Sequence, residues 1–182
     1  MRKDIEEKIE IPFGINTKIE DNFLKIEKEN NELKRKINPL IKIHLKDNLI
    51  ILEAKKATRK EKKILGTFVA HINNMFKGLN ERFKYKMQIC AVHFPMTANF
   101  DKEKKQLVIK NFLGEKVDRK ISIPFNVDIK INRDIIEIES FDKEAAGQAA
   151  GNIEKGTAVA KKDRRIFQDG IFIIEKPGRS FL

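Results

Sequence analysis

The chain has 182 residues, 41% of them hydrophobic, with 38 Lys or Arg against 27 Asp or Glu and a formal net charge of +11. That length fits one domain or two small ones, and the apolar share excludes wholesale disorder. The basic balance favours polyanionic partners, and the absence of any run near the roughly 20 apolar residues needed to cross a bilayer excludes a spanning segment.

From the N-terminus, apolar and polar residues alternate. Leu24 and Ile26 interleave with Phe23, Lys25 and Glu27, and period-two runs follow at Leu40 to Leu45 and Leu49 to Leu52. Such alternation marks strands with one buried face, and Glu29-Asn30-Asn31 and Lys46-Asp47-Asn48 mark turns between them. The period then changes. Thr58-Arg59-Lys60-Glu61 has the capping-box form, in which the Thr hydroxyl and the Glu carboxylate satisfy free N–H groups of a first helical turn. Behind it Ile64, Phe68, Ile72, Met75 and Leu79 recur at helical spacing, and Gly78 supplies a stop.

The second half repeats this order. His93-Phe94-Pro95 answers Ile11-Pro12-Phe13, Leu107 to Phe112 answers Phe23 to Ile26, and Arg119-Lys120-Ile121 answers Arg35-Lys36-Ile37 at a spacing of 84. Ile129-Lys130-Ile131 answers Ile41-Lys42-Ile43, and Arg133 to Glu139 answers Asp47 to Glu53. Asp142 opens a second helix through Ala146, Ala149, Ala150 and Ile153, which Gly156 ends. Strands then a helix, written twice, predict an α+β fold of two tandem duplicated domains, each an antiparallel sheet with one packed helix. The domains are expected at residues 1–81 and 82–182, joined near Asn80 to Tyr85, with a basic extension at 155–182. Gly147 and Gly151 among the alanines of the second helix predict close helix–sheet packing.

Residues able to carry chemistry are sparse. His44, His71 and His93 lack the close spacing of a zinc site, and one cysteine, Cys90, completes no thiolate set. Between Ile89 and Ala91, Cys90 reads as a small hydrophobe without a disulfide partner, which suits a reducing cytoplasm. The charged opening segment, Met1 to Ile11, is unlike a signal peptide. Nothing matches a phosphate loop, a GxGxxG or a GxSxG, and acidic neighbours such as Glu6-Glu7 and Glu137/Glu139 read as solvated charge. The expectation is a protein that is not an enzyme and holds neither metal nor cofactor. The alternatives are a small enzyme using Cys90 and His93, or a module whose sheets pair with a partner chain.

Positive charge concentrates near the C-terminus. Lys155, Lys161, Lys162, Arg164, Arg165, Lys176 and Arg179 stand against Asp163, Asp169 and Glu175, a net of +4. Lys and Arg neutralise phosphates and release counterions, and Arg also stacks on bases. Gly156, Gly170 and Gly178 are expected to bring backbone close to an RNA groove. Ile166, Phe167, Ile171 and Phe172 predict a segment pinned to the body, with a turn at Asp169-Gly170.

The stretch Lys162-Asp163-Arg164-Arg165-Ile166-Phe167-Gln168-Asp169-Gly170-Ile171-Phe172-Ile173 resembles the C-terminal signature of ribosomal protein six of the large subunit, archaeal and eukaryotic branch, the archaeal form most closely. His71-Ile72-Asn73-Asn74-Met75-Phe76-Lys77-Gly78 resembles its first-helix motif, with Phe76 in place of a smaller aliphatic residue, and Ala91-Val92-His93-Phe94-Pro95 its interdomain strand. The resemblance covers essentially the whole chain. It implies two α+β domains bound to large-subunit ribosomal RNA near the sarcin–ricin loop and the base of the factor-recruiting stalk. Neighbouring large-subunit proteins and docking translation factors are implied alongside. Carried over, it implies RNA contacts at Lys155, Lys161, Lys162, Arg164, Arg165, Lys176 and Arg179, and a second contact at His71, Asn74 and Lys77.

Overall fold

A computed structural model describes residues 3–29 and 31–181, and the chain divides after Glu81 into two units. In the first, β1 (Lys3–Glu10), β2 (Asn16–Glu20), β3 (Phe23–Lys28), β4 (Asn31–Lys36), β5 (Lys42–Lys46) and β6 (Leu49–Ala57) precede α1 (Arg59–Asn80). In the second, β7 (Phe83–Cys90), β8 (Thr97–Asp101), β9 (Gln106–Lys110), β10 (Arg119–Ser122), β11 (Asp128–Asn132) and β12 (Ile135–Ser140) precede α2 (Lys143–Gly156). A hairpin of β13 (Gly170–Lys176) and β14 (Arg179–Ser180) follows α2 and has no counterpart after α1.

The expected α+β class and duplication hold, with one refinement: each unit divides its strands between two sheets. The first unit orders them β1-β6-β5 and β2-β3-β4; the second orders them β11-β12-β7-β13-β14 and β10-β9-β8. Prolines mark the switches. Pro12 and Pro95 follow β1 and β7, while Pro39 and Pro124 follow β4 and β10. Each lacks the N–H that a continuing ladder needs, so the chain leaves one sheet and the central three strands pair among themselves.

The alternating residues form the cores. Leu24, Ile26, Ile50 and Leu52 are fully buried in the first unit, as are Leu107, Ile109, Ile136 and Ile138 in the second. Each contributes about 1.5–3 kcal/mol relative to exposure. Two-residue loops, Asp47-Asn48 and Arg133-Asp134, join β5 to β6 and β11 to β12, with a φ of 51° at both Asp47 and Arg133. Registers correct two of the expected matches. Ile129 faces Ile138 as Ile43, not Ile41, faces Leu52; Arg119 faces Ile109 as Leu33, not Arg35, faces Ile26. A slip of two residues keeps every side chain on its face, so alternation alone does not reveal it.

The capping box at α1 forms: Thr58 Oγ1 accepts from Lys60 N at 3.2 Å, and Glu61 Oε2 accepts from Thr58 N at 2.8 Å. The inward stripe is Leu65, Phe68, Ile72, Met75, Phe76 and Leu79; Leu65 takes the place expected of half-buried Ile64. Gly78 does not stop the helix. It lies buried within α1, which ends when Glu81 N donates to Lys77 O at 2.8 Å. The helix rests on β6 and β3, so it contacts both sheets of its unit.

α2 begins as expected, with Asp142 Oδ1 accepting from Glu144 N at 2.9 Å, and buries Ala146, Ala149, Ala150 and Ile153 completely. A Cβ on Gly147 would lie 3.1 Å from Tyr85 Oη, so close packing applies there; at Gly151 it would meet nothing within 4 Å. Among the described residues, no helix is long and apolar enough to cross a membrane.

Candidate nucleic-acid interface

Residues 157–169 connect α2 to β13, and the ends of this loop are held by polar anchors. At the first, buried Thr157 donates its hydroxyl to Ile153 O (3.0 Å) and accepts from Ile171 N (3.1 Å), joining the helix end to β13. Arg119 reaches over from β10. Its Nη1 donates to Gly156 O (2.9 Å) and Ala158 O (3.3 Å), and its Nε donates to Glu115 Oε2 (2.7 Å). The guanidinium lies 3.9 Å from the Phe112 ring centroid. A cation placed on the last carbonyls of a helix satisfies orphan acceptors and opposes the negative end of the helix dipole.

At the second end Asp169, only 3% exposed, accepts from Val92 N (2.8 Å), His93 N (3.0 Å) and His93 Nδ1 (2.6 Å). Burial pushes its carboxyl up, but the hydrogen bonds from His93 and Val92 outweigh that and hold it below the usual range. Two of the three glycines expected to approach RNA instead make room for the protein itself. A Cβ on Gly156 would sit 2.6 Å from Ile121 Cδ1, and one on Gly170 would sit 2.9 Å from Phe172 Cζ. Gly178, at φ +81°, turns the β13–β14 hairpin.

The loop carries its cations on this frame. Asp163 organises a turn: its main-chain oxygen accepts from Ile166 N (3.1 Å) and Phe167 N (2.9 Å), and its Oδ1 accepts from Arg165 N (2.9 Å). Phe167 stacks on His93 at 4.9 Å between centroids, and Lys162 Nζ lies 4.5 Å from the same Phe167 ring. Arg165 donates from Nη2 to Asp163 Oδ2 at 2.8 Å, yet its side chain is 90% exposed. So exposed a pair contributes little to stability, which leaves Arg165 able to exchange the carboxylate for a phosphate. Lys161 and Arg164 are exposed beside it, and Arg164 lines a cavity of about 340 Å³ with Cys90, Val92, Phe167 and Phe172.

The remaining residues fall outside that loop. Lys155 is exposed in the last turn of α2. Lys176 and Arg179 are cross-strand partners at the far end of β13, flanking Phe181 at 5.3 and 4.8 Å. Ile166 is not the anchor that its apolar side chain predicts: it is 62% exposed, its N–H and that of Phe167 are taken by the Asp163 turn, and β13 begins only at Gly170. Ile171, fully buried, does the pinning, and Phe167 and Phe172 are half-buried.

In the first unit His71, Asn74 and Lys77 follow one another at three-residue spacing along α1, half-buried, half-buried and exposed respectively. His71 Nε2 accepts from Arg35 Nη2 at 2.8 Å. Arg35, Lys36, Asn38 and Thr67 line a cavity of about 270 Å³ beside His71; Asn74 and Lys77 do not border it.

The anchoring roles of Arg119, Thr157 and Asp169 escaped the sequence reading, although Arg119 stood out in the repeat and Asp169 in the turn signal at Asp169-Gly170; His93 is a satisfied structural histidine. The enzyme alternative finds no support. Burial, with Asp134 and Asp169 nearby, pushes the Cys90 thiol up, and the His93 ring is committed to Asp169 rather than to Cys90.

Fold and surface define a basic protein of duplicated α+β plan whose main charged feature is an anchored, aromatic-backed loop. A family profile described as ribosomal protein L6 matches residues 11–82. Nearly the whole chain is similar to archaeal proteins described as large ribosomal subunit protein uL6. It is 42% identical to that of Nanoarchaeum equitans, over 96% of each chain. It is 37% identical to that of Desulfurococcus amylolyticus, over 94% of this chain and 95% of the relative, and 36% identical to that of Methanococcus vannielii, over 96% of each. The chain belongs to the uL6 family, a structural and non-enzymatic component of the ribosome.

Proposed function

We propose that the protein is a structural constituent of the large ribosomal subunit in the cytoplasm, where it binds large-subunit ribosomal RNA and supports translation. Residues 1–81 and 82–182 act as its two domains, and the segment 155–182 carries the principal RNA contact. The observation that carries this reading is the loop at Lys161, Lys162, Arg164 and Arg165, backed by the Phe167–His93 stack and fixed at both ends by Thr157, Arg119 and Asp169. Fixed cations lose little freedom on binding and can match one arrangement of phosphates. Lys155, Lys176 and Arg179 extend the contact, and His71, Asn74 and Lys77 supply a second one. The family resemblance supports placement near the sarcin–ricin loop and the stalk base, among neighbouring proteins and docking translation factors.

The test is RNA affinity measured across a salt series, using a large-subunit RNA fragment that contains the sarcin–ricin stem. Arg164→Ala is expected to flatten the log–log slope by about one, the share of one phosphate contact. A slope identical to that of the unsubstituted chain would remove Arg164 from the interface. Hydroxyl-radical footprints should fall on the sarcin–ricin stem and stalk base; protection confined elsewhere would overturn the placement.

A further inference from the structure

The duplication places β1 and β7 at equivalent positions, and they differ in one respect. Ile50 and Leu52 of β6 correspond to Ile136 and Ile138 of β12. Through their partners, Lys8 and Glu10 therefore correspond to Lys86 and Gln88, and Glu6 to Lys84. β7 is paired on both sides, with β12 and β13. β1 pairs with β6 alone, and among the described residues no strand lies on its other edge.

Hydrogen-bond phase shows what that edge offers. Ile11 N donates to Asn48 O at 2.9 Å, and Ile89 N donates to Asp134 O at 2.7 Å, so the two strands are in phase. Antiparallel pairing alternates bonded and non-bonded positions, so the backbone groups of Ile9 and Glu7 turn toward β6 while those of Glu6, Lys8 and Glu10 turn outward. On β7 the equivalent positions, Gln88 and Lys86, face Phe172 and Glu175 of β13, and Lys86 Nζ lies 2.8 Å from Glu175 Oε2.

We propose that the outer edge of β1, from Ile5 to Glu10, is a docking site for an extended Lys/Arg-bearing segment of another protein, which adds as an antiparallel strand. Charge selects this occupant. In a chain of net charge +11, the outward positions carry Glu6, Lys8 and Glu10, a net of −1, where β7 carries Lys84, Lys86 and Gln88, a net of +2. Lys8 Nζ lies 3.2 Å from Glu6 Oε1, but Glu6 and Glu10 are both exposed, so basic residues opposite them gain cross-strand partners and can displace that surface pair. A second copy fits less well in every register. A two-fold pairing centred on Lys8 sets Lys8 against Lys8 and Glu6 against Glu10, and one centred on Glu7 sets Lys8 against Glu6 but Glu10 against Asp4. One centred on Ile9 sets Lys8 against Glu10 but Glu6 against Pro12, which has no N–H to donate. RNA fits poorly for the same carboxylates. The register irregularity between Lys3 and Ile5 bounds the site at its start, and Pro12 bounds it at the other end.

The test uses the isotopically labelled full chain, titrated by NMR with a synthetic peptide of alternating lysine and valine, and with an acidic counterpart of alternating glutamate and valine. The basic peptide should shift the amides of Glu6, Lys8 and Glu10 and slow their hydrogen exchange, leaving Ile9 unchanged. Lys8→Pro removes one outward N–H while sparing the bonds to β6, and should abolish the response. Should that variant fail to fold, Glu6→Lys with Glu10→Lys decides: affinity for the basic peptide should fall roughly tenfold and the acidic one should now bind more tightly. Three results would each overturn the proposal: silence of these amides at millimolar peptide, equal binding of both peptides by the unsubstituted chain, or the same amides responding to a short RNA duplex or to self-association.

Discussion

Asp169 is a carboxylate with almost no solvent contact, whose three hydrogen-bond donors come from Val92 and His93, 77 and 76 positions away. Removing it leaves buried donors without acceptors, and Asp169→Ala is expected to cost about 1–3 kcal/mol in urea unfolding at neutral pH. The pH dependence has a definite sign. Because the folded carboxyl titrates below its ordinary range, its stabilisation is present above the unfolded value, about 3.9, and disappears as pH falls through the folded value. The gap between Asp169→Ala and the unsubstituted chain should therefore narrow below about pH 4. A gap that stayed constant from neutral pH to pH 3 would mean that the carboxylate charge contributes nothing.

Among the elements, two helical glycines make opposite predictions. Gly151 has open space where a Cβ would go, so Gly151→Ala should stabilise α2 by about 0.5–1 kcal/mol. Gly156→Ala would press on buried Ile121 and should cost about 1–3 kcal/mol. Both are read from urea midpoints at constant slope. Arg119→Ala separates position from contact: losing the bonds to Gly156 O and Ala158 O should loosen the loop and weaken RNA binding while leaving the salt slope unchanged. The helices and strands were legible because capping residues and alternation act over three to eight neighbours. Thr58, Glu61 and Asp142 stand where their caps form, and all four residues expected inside α2 are buried. The division into two sheets was not legible, since it depends on which strands meet across Pro12, Pro39, Pro95 and Pro124. For the same reason Gly156 and Gly170 were misread: Ile121 and Phe172 fill their space, and neither approach is written in the local sequence.

At the scale of the whole molecule, a net charge of +11 predicts that affinity for RNA falls with salt, and the slope of that fall tells which unit meets phosphate. If only the seven cations from Lys155 to Arg179 meet phosphate, the log–log slope should be no steeper than about −6. A steeper slope would require phosphate contacts from the first unit, with Lys77 the first candidate. The candidate site was legible as charge and as motif, because four of its cations, Lys161, Lys162, Arg164 and Arg165, are near one another in sequence and share a loop. Its anchoring was not, because Arg119, Val92 and His93 meet that loop from elsewhere in the second unit.

Cys90 closes β7 directly opposite Gly170, the first residue of β13. It is the only thiol in the chain, and its environment disfavours the thiolate, so alkylating reagents should react slowly at neutral pH. Cys90 is half-buried, and any event that lifts β13 from β7 would expose its sulfur further and speed its alkylation. The protein thus carries its own chemical reporter on the C-terminal hairpin: a slower labelling of Cys90 in the bound state than in the free chain would show that binding tightens β13 on β7.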